Sequence, residues 1–400
     1  MLACYIIMDY EPELAKLVDI QYLTDESKRK LNNIYLNPLT GVIPSKLIRF
    51  INEVSTSFNT DIIATVAKSD RTRLIKVLIG FDQYFNKVND SYFQKFVRSA
   101  RYVMSIDLMI RSSKIRLNFL YDEEDDGYIS AILHATHTFC YTIDYNYNGL
   151  VIDIALDNNI RSYDIPQDIS NDDTFKYLQS RSMAFNVSGV TIRGDKHIIL
   201  TKKEDIIKLL FHELSHYAGI ERNLDYEIVN PYNNIPAKTL NINEAYTEFI
   251  SILFSTAYES IHLWNVNRDR LPLDDDLYIL YQTLLQTETQ YSIYLSASIL
   301  KIFGYDKDTW RSFFENDSNK IMSSPIYTFE YILMRTSLML NIDSIIDAID
   351  DDLGVNNSET IKKYILPNDN MFIQLSTYMR TNNYDNNISY LLVDFDWNDI

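Results

Sequence analysis

The stretch from residue 201 to residue 219 carries signals for both ends of a helix and constrains the fold more than any other part of the sequence. Thr201-Lys202-Lys203-Glu204 matches a capping box. Gly219 supplies a residue that can adopt the left-handed conformation at which helices commonly end. Apolar residues recur between them at helical spacing, namely Ile207, Leu210, Phe211, Leu214 and Ala218. The sequence therefore predicts a helix here with one face packed on a core.

The periodicity differs on the two sides of this helix. Residues 1 to about 120 read as mixed and mostly helical, with amphipathic segments at 44–55 and 73–88. Short β-rich runs follow between residues 128 and 200, and a helical period then persists to the C-terminus. We expect an α+β fold with a mixed N-terminal region (1–125), a core of a small β-sheet packed on two helices (126–270) and a helical C-terminal region (271–400).

The composition argues against several classes of partner. The formal net charge is −18, whereas nucleic-acid affinity depends on Lys and Arg displacing counterions. No stretch approaches the roughly 18 apolar residues that cross a bilayer. We therefore expect neither a nucleic acid nor a membrane as partner.

Cysteine usage and the N-terminus indicate a reducing, cytoplasmic compartment. Cys4 and Cys140 are too few for a disulfide framework or a thiolate zinc site. The opening run MLACYIIMDYEPE has no basic residue before its apolar stretch and acids directly after it, so it predicts a first strand rather than a secretory signal.

The predicted helix carries two histidines four positions apart. His212 and His216 share one face, and Glu213 is rotated about 100° from His212. Zinc accepts imidazole nitrogens and needs only three protein ligands when one position is left for water. Since 6 of the 400 residues are histidine, the pattern His-Glu-x-x-His arises by chance with a probability of ~1% or less. The alternative is an ordinary helix that carries two histidines.

Two acids compete as the third ligand. Glu244 follows His216 by 28 residues in NINEAYTEF and shares a predicted helix face with Glu248. Asp225 follows His216 by nine residues, within a predicted long loop over 221–241.

These residues resemble two groups of zinc peptidases. His212-Glu213-x-x-His216 followed by Asn243-Glu244-Ala245 is similar to the gluzincins, the thermolysin-like metallopeptidases. That resemblance covers roughly residues 186–255 and implies that His212, His216 and Glu244 bind Zn²⁺. It also implies that Glu213 is the general base and that Glu248 orients a ligand histidine. The spacing of Asp225 instead resembles the aspzincins, although their preceding Gly-Thr is replaced here by Asn223-Leu224.

A second resemblance concerns the stretch FNVSGVTIRGDKHIILTKKEDIIKLLFHELSH. It is similar to metallopeptidases of large DNA viruses, which implies a viral protein acting in the host cytoplasm or in the virion. Two features depart from thermolysin: the loop between the zinc helices is longer, and no recognisable substrate-binding edge-strand motif precedes the first helix.

The resemblance to the gluzincins implies a zinc metalloendopeptidase acting on a protein or peptide substrate, while the site chemistry by itself leaves other amide or ester hydrolysis open. Zinc lowers the pKa of its bound water, and Glu213 accepts the proton and passes it to the leaving amine. The resemblance to the gluzincins implies that a Tyr or His from outside the zinc helices stabilises the oxyanion, and Tyr226 and Tyr232 are loop candidates. The alternatives are an aspzincin-type peptidase that uses Asp225 and a noncatalytic virion or scaffold protein with a zinc site.

The remaining histidines are expected to be structural. His134 and His137 fall in a predicted strand, where positions three apart point to opposite faces. His197 begins another predicted strand. His262 would lie about 27 Å from Glu244 on an unbroken helix. The RGD triplet at 193–195 is expected to form a turn.

Overall fold

The computed structural model describes residues 44–86, 90–122, 126–158, 188–203, 206–318, 329–351 and 353–380. The predicted first strand and Cys4 lie outside these ranges. The strands described are β1 (Ile63–Ala67), β2 (Tyr102–Ile110), β3 (Ser113–Tyr121), β4 (Val151–Ala155), β5 (Gly189–Ile192), β6 (His197–Leu200), β7 (Glu227–Val229) and β8 (Thr239–Asn241). The helices described are α1 (Ser45–Phe58), α2 (Arg71–Phe81), α3 (Tyr92–Ser99), α4 (Asp126–Thr142), α5 (Ile206–Ala218), α6 (Asn243–Val266), α7 (Asp274–Ile302), α8 (Trp310–Phe314), α9 (Arg335–Leu340), α10 (Ile342–Ile345), α11 (Ser358–Ile365) and α12 (Asp369–Met379).

A six-stranded mixed sheet has the order β1-β2-β3-β4-β6-β5. Strands β1, β2 and β3 are antiparallel, β3, β4 and β6 are parallel, and β5 is antiparallel to β6. Parallel neighbours need a crossover connection, which α4 provides between β3 and β4. Among the described strands, β5 lies at one edge of the sheet. A short 3₁₀ turn over Arg193–Asp195 leads from it into β6, as expected for the RGD triplet.

Helices cover both faces of the sheet. Because alternate residues of a strand point to opposite faces, β3, β4 and β6 contribute to two separate apolar clusters. The smaller cluster joins α2 and α3 to one face through Leu74, Leu78, Phe81, Phe93, Val97, Ala100, Leu120, Ala155 and Ile199. The larger cluster includes α1, α4, α5, α6 and α7 and contains the other face of the sheet. The sheet therefore lies between two helical layers.

The predicted α+β fold class is confirmed. A sheet packs on helices α5 and α6, and the described chain after α6 is helical apart from an isolated β-bridge. The division near residues 125 and 270 stays a prediction, although strands from both sides of residue 125 share one sheet. Within the described ranges, no helix is long and apolar enough to cross a membrane.

The strand predicted around His134 and His137 is wrong, because this segment forms helix α4. Nearly every face of the helix is buried, so its apolar residues read as a continuous run rather than as a stripe. Its β-branched threonines also favour a strand by propensity. In the helix the hydroxyls of Thr136, Thr138 and Thr142 donate to carbonyl groups four residues earlier.

The region around α5 differs from prediction in two details. The hydroxyl of Thr201 donates to the carbonyl oxygen of Ser188 (3.0 Å), so it does not cap the helix, and Glu204 lies outside the described residues. The predicted loop over 221–241 contains the antiparallel pair β7 and β8. Strands of three residues are too short to produce a recognisable alternation.

His134 lies in a structural position in this helix. Its Nδ1 is 3.0 Å from the hydroxyl of Tyr258 and its Nε2 is 3.0 Å from the carbonyl oxygen of Phe58. Burial lowers the pKa of His134 to about 4, although the Phe58 carbonyl favours the protonated ring. Both ring nitrogens are thus engaged by protein groups, as a structural role requires.

We predict that acid destabilises the fold through His134. An unfolded histidine titrates near 6.5, so between about pH 6.5 and 4 the unfolded chain binds a proton that the folded chain does not. The free energy of unfolding should therefore fall as the pH drops through this window, by at most ~1.4 kcal/mol per pH unit from this group. Urea unfolding of the metal-free protein at several pH values measures the slope.

The matched variant is His134→Gln, which removes the titrating group. Its stability should depend less steeply on pH between 6.5 and 5 than that of the wild type. An unchanged slope would contradict the prediction. The other histidines contribute equally to the pH dependence of both proteins, so their contributions cancel when the two slopes are compared.

Candidate metal centre

Helices α5 and α6 bring three metal-ligand side chains together. The Nε2 atoms of His212 and His216 are 3.1 Å apart. The Oε2 atom of Glu244 lies 3.2 Å from Nε2 of His216 and 3.4 Å from Nε2 of His212. Of the described residues with such side chains, these three form a group that could hold a metal ion. The two predicted helices therefore converge at the predicted positions.

The spacing of these atoms fits a zinc ion. Ligand atoms about 2.0 to 2.1 Å from a tetrahedral centre are about 3.3 Å from one another. The three observed separations lie between 3.1 and 3.4 Å. The donor set, two imidazole nitrogens and one carboxylate oxygen, is also one that zinc accepts. The residues present therefore fit the implied metal.

The electrostatics of the group are those of two imidazole rings facing a carboxylate. Burial disfavours the charged forms, but the two histidines hold the pKa of Glu244 far below its usual range. Burial likewise acts against protonation of His216, yet its contacts with Glu221 and Glu244 raise its pKa to about 10. The carboxylates beside the two rings therefore favour a positive charge between the three side chains.

The other nitrogen of His212 faces Glu248. Its Nδ1 is buried without a hydrogen-bond partner and lies 3.9 Å from Oε2 of Glu248. This separation is too long for a hydrogen bond but short enough for electrostatic attraction. The structure thus places Glu248 beside a candidate ligand histidine, on the side away from Glu244.

The other nitrogen of His216 faces an acid that sequence reasoning missed. Nδ1 of His216 lies 3.2 Å from Oε1 of Glu221, a side chain that is 2% exposed. Arg193 donates to the same carboxylate and to the backbone carbonyl of His216. One signal in the sequence could have indicated Glu221: it follows Gly219 by two residues, and a chain that leaves a helix at such a glycine turns back towards the helix.

Glu213 is held by strand β5. The hydroxyl of Thr191 lies 2.7 Å from Oε2 of Glu213 and 2.8 Å from its backbone carbonyl oxygen. A Cβ atom at Gly189, two residues earlier on the same face, would lie 2.6 Å from the other carboxylate oxygen. Burial raises the pKa of Glu213, although the two nearby histidines act in the opposite direction. Among the described strands, an edge strand therefore does lie beside helix α5, although no motif in the sequence revealed it.

A tyrosine from the C-terminal region completes the site. Tyr331, in a π-helical segment (Phe329–Met334), donates its hydroxyl to Oε2 of Glu244 at 2.8 Å, and its ring stacks on His212. The loop candidates lie elsewhere: Tyr232 packs on Phe313 and Phe329, and Tyr226 is 41% exposed. The sequence offered no local signal for Tyr331, which is one of 30 tyrosines.

Asp225, the rival third ligand, does not belong to this group. Its carboxylate forms an ion pair with Lys362, and its backbone N–H donates to the hydroxyl of Ser358, both on α11. Its side chain is 65% exposed. The structure thus brings Glu244, and not Asp225, to the two histidines.

The remaining histidines have separate positions. His197 begins β6, as predicted, and its Nε2 lies 2.8 Å from Oδ2 of the buried Asp153. His262 lies on α6, which runs unbroken from Asn243 to Val266. His137 stacks on Tyr141 in α4. None of these histidines joins the metal-ligand group found among the described residues.

We predict that a side chain at position 189 destabilises the fold because it would displace the Glu213 carboxylate. A Cβ atom there would lie 2.6 Å from Oε1 of Glu213 and 3.0 Å from Cδ1 of Leu209. Gly189→Ala should therefore lower the free energy of unfolding by about 1–3 kcal/mol. In a Glu213→Ala background the loss should shrink, since the carboxylate that the methyl group meets is gone.

Urea unfolding of the wild type, the two single variants and the double variant measures this coupling. Gly194→Ala is the control, because a Cβ atom at Gly194 meets no atom within 4 Å. Strictly additive losses would show that Gly189 and Glu213 do not interact.

Comparison with known proteins connects the chain to a virus. No family model matches the sequence, and no solved structure matches it either. An uncharacterized protein of Acanthamoeba polyphaga mimivirus is 36% identical over 389 residues, which cover 96% of each chain. This relative supports the prediction of a viral protein. The chain belongs to the same family as this mimivirus protein.

Proposed function

We propose that the chain is a zinc-dependent metallopeptidase in which His212, His216 and Glu244 bind the metal and Glu213 is the general base. The observation that carries the proposal is the triangle of ligand atoms, with separations of 3.1 to 3.4 Å, at the contact between two buried helices. The gluzincin-like order of these residues along the sequence supports it independently.

The number of ligands favours catalysis over a structural metal site. Structural zinc sites are closed by four protein ligands, whereas catalytic sites use three and keep a position open. The ligand group found among the described residues has three members. This count weighs against the alternative of a noncatalytic virion or scaffold protein.

The side chains around the site have separate tasks in the proposed reaction. Bound zinc would lower the pKa of a water molecule and polarise a carbonyl group. Glu213, whose pKa is raised by burial, accepts a proton from the attacking water and later donates it to the leaving amine. Thr191 keeps one carboxylate oxygen of Glu213 in a fixed direction.

Tyr331 is the proposed hydrogen-bond donor for the oxyanion. Burial and the neighbouring Glu244 carboxylate raise the pKa of its phenol, so the hydroxyl keeps its proton at neutral pH. The hydroxyl already donates to a ligand atom of the site at 2.8 Å. A preorganised donor near a metal ligand is suited to stabilising negative charge that develops on a substrate oxygen.

Strand β5 favours a peptide as the substrate. Within the described chain it pairs with β6 along one edge and has no strand along the other. An open strand edge can bind an extended peptide through backbone hydrogen bonds. Because Thr191 of β5 donates a hydrogen bond to Glu213, a peptide added to this edge would lie beside the proposed base.

We predict one zinc ion per chain, which elemental analysis of the purified protein measures. His216→Ala and Glu244→Ala should bind zinc severely less well, because each removes one of three ligands. Asp225→Ala should bind it nearly as well as the wild type, since Asp225 pairs with Lys362 instead. Glu248→Ala should lose about 10- to 100-fold in affinity, as expected of a residue that orients a ligand.

A competitive chelator titration of these variants ranks their affinities. An Asp225 variant without zinc and a Glu244 variant that retains it would support the aspzincin-type alternative. If the wild-type protein binds no zinc, both the gluzincin-type and the aspzincin-type proposals are excluded.

The role of Glu213 is tested separately from metal binding. Glu213→Gln should retain zinc but lose hydrolysis by about 10²- to 10⁴-fold, because an amide cannot accept the proton. Cleavage of an unstructured protein such as casein, followed by mass spectrometry, provides the assay. If the wild type cleaves and this variant cleaves equally fast, Glu213 is not the base.

A further inference from the structure

We propose that Glu221 and Arg193 are positioning residues for His216. In this inference the Glu221 carboxylate accepts the proton of Nδ1, so that Nε2 presents its lone pair to the metal, and Arg193 holds the carboxylate in place. The inference rests on the proposed zinc site. It adds a pair of residues that the resemblance to gluzincins does not assign.

The two nitrogens of the His216 ring face two different kinds of neighbour. Nδ1 lies 3.2 Å from Oε1 of Glu221. Nε2 lies 3.1 Å from Nε2 of His212 and 3.2 Å from Oε2 of Glu244. A neutral imidazole carries one proton, and the acceptor at one nitrogen decides which nitrogen keeps it. Glu221 therefore favours the form of His216 whose lone pair points at the other ligands.

The end of helix α5 determines where Glu221 lies. Gly219 has a φ of +67°, and its N–H donates to the carbonyl of His216. The N–H of Ile220 donates to the carbonyl of Ser215 at 3.2 Å. These two hydrogen bonds form the Schellman motif, which reverses the chain at a helix end. The next residue, Glu221, is thereby returned to the side of His216.

Arg193 makes a buried carboxylate tolerable at this position. A lone buried carboxylate is costly, because it loses hydration without gaining a counter-charge. Arg193 donates from its guanidinium to Oε1 of Glu221, the same atom that faces His216. A second donor of Arg193 reaches the backbone carbonyl of His216. Arg193 thus contacts both members of the pair that it positions.

The two ligand histidines are oriented by independent elements. His212 faces Glu248, which lies on α6 together with the ligand Glu244. His216 faces Glu221, which lies in the turn after α5, and Arg193 comes from the 3₁₀ turn after β5. Removing Glu221 should consequently affect His216 without disturbing the surroundings of His212.

The test compares zinc affinity in Glu221→Ala, Glu221→Gln and Arg193→Ala with that of the wild type, by competitive chelator titration. Glu221→Ala should lower affinity by about 10- to 100-fold. Glu221→Gln should lose less, since an amide oxygen still accepts a hydrogen bond but carries no charge. Arg193→Ala should also lose less, because the acceptor remains. Glu227→Gln, a change at an exposed acid on β7, is the control and should bind like the wild type.

A second readout separates positioning from general stability. Nitrogen-15 NMR of the zinc-free protein at high pH reports which ring nitrogen of each neutral histidine carries the proton. In the wild type the proton of His216 should reside on Nδ1, and in Glu221→Ala it should be shared between both nitrogens. The signals of His212 should remain unchanged.

The outcomes distinguish this inference from the function on which it rests. If the wild type binds no zinc, the proposed function fails. If it binds zinc and both Glu221 variants bind within twofold of Glu227→Gln, the function stands and the positioning role is overturned. Should Glu221→Ala fail to fold, the near-isosteric Glu221→Gln decides by the same comparison.

Discussion

The packing of helix α5 against helix α6 is the contact on which the candidate site depends. Both helices are buried along most of their length, so apolar contacts, and not the polar ligands, determine how they lie. Contacts far from the candidate ligands also hold each helix in place. Lys208 on α5 forms a buried ion pair with Glu288 on α7, and the hydroxyl of Tyr246 on α6 donates to the carbonyl of Leu353. The packing of the core therefore determines where the candidate ligand atoms lie relative to one another.

Helix α5 contacts both α6 and β5 through different side chains, because successive residues of a helix are rotated by about 100°. His212 and His216 lie on the side that faces Glu244, whereas Glu213 lies on the side that faces β5. Strand β5 and helix α6 thus contact different side chains of the same turn of α5. This separation explains how a hydrogen bond from Thr191 can fix a carboxylate without competing with the ligands.

Local signals in the sequence predicted the part of the site that α5 and α6 carry. Helical spacing placed His212 and His216 on one face, and the motif around Glu244 identified the acid that the structure places beside them. Zinc and hydrolysis stay predictions. Tyr331 could not be found, because its contact with Glu244 spans 87 residues and depends on tertiary packing. The sequence did not predict helix α4, because its residues are buried on nearly all faces and therefore show no amphipathic period.

The approach of Gly189 to Glu213 has an evolutionary consequence. A side chain at position 189 would crowd a carboxylate at position 213, so we expect the two positions to vary together. A family member that retains the glutamate should favour glycine at position 189, whereas one that has lost the acid can accept a larger residue there. In related viral proteins, a residue larger than glycine at position 189 should therefore accompany the loss of the glutamate at position 213.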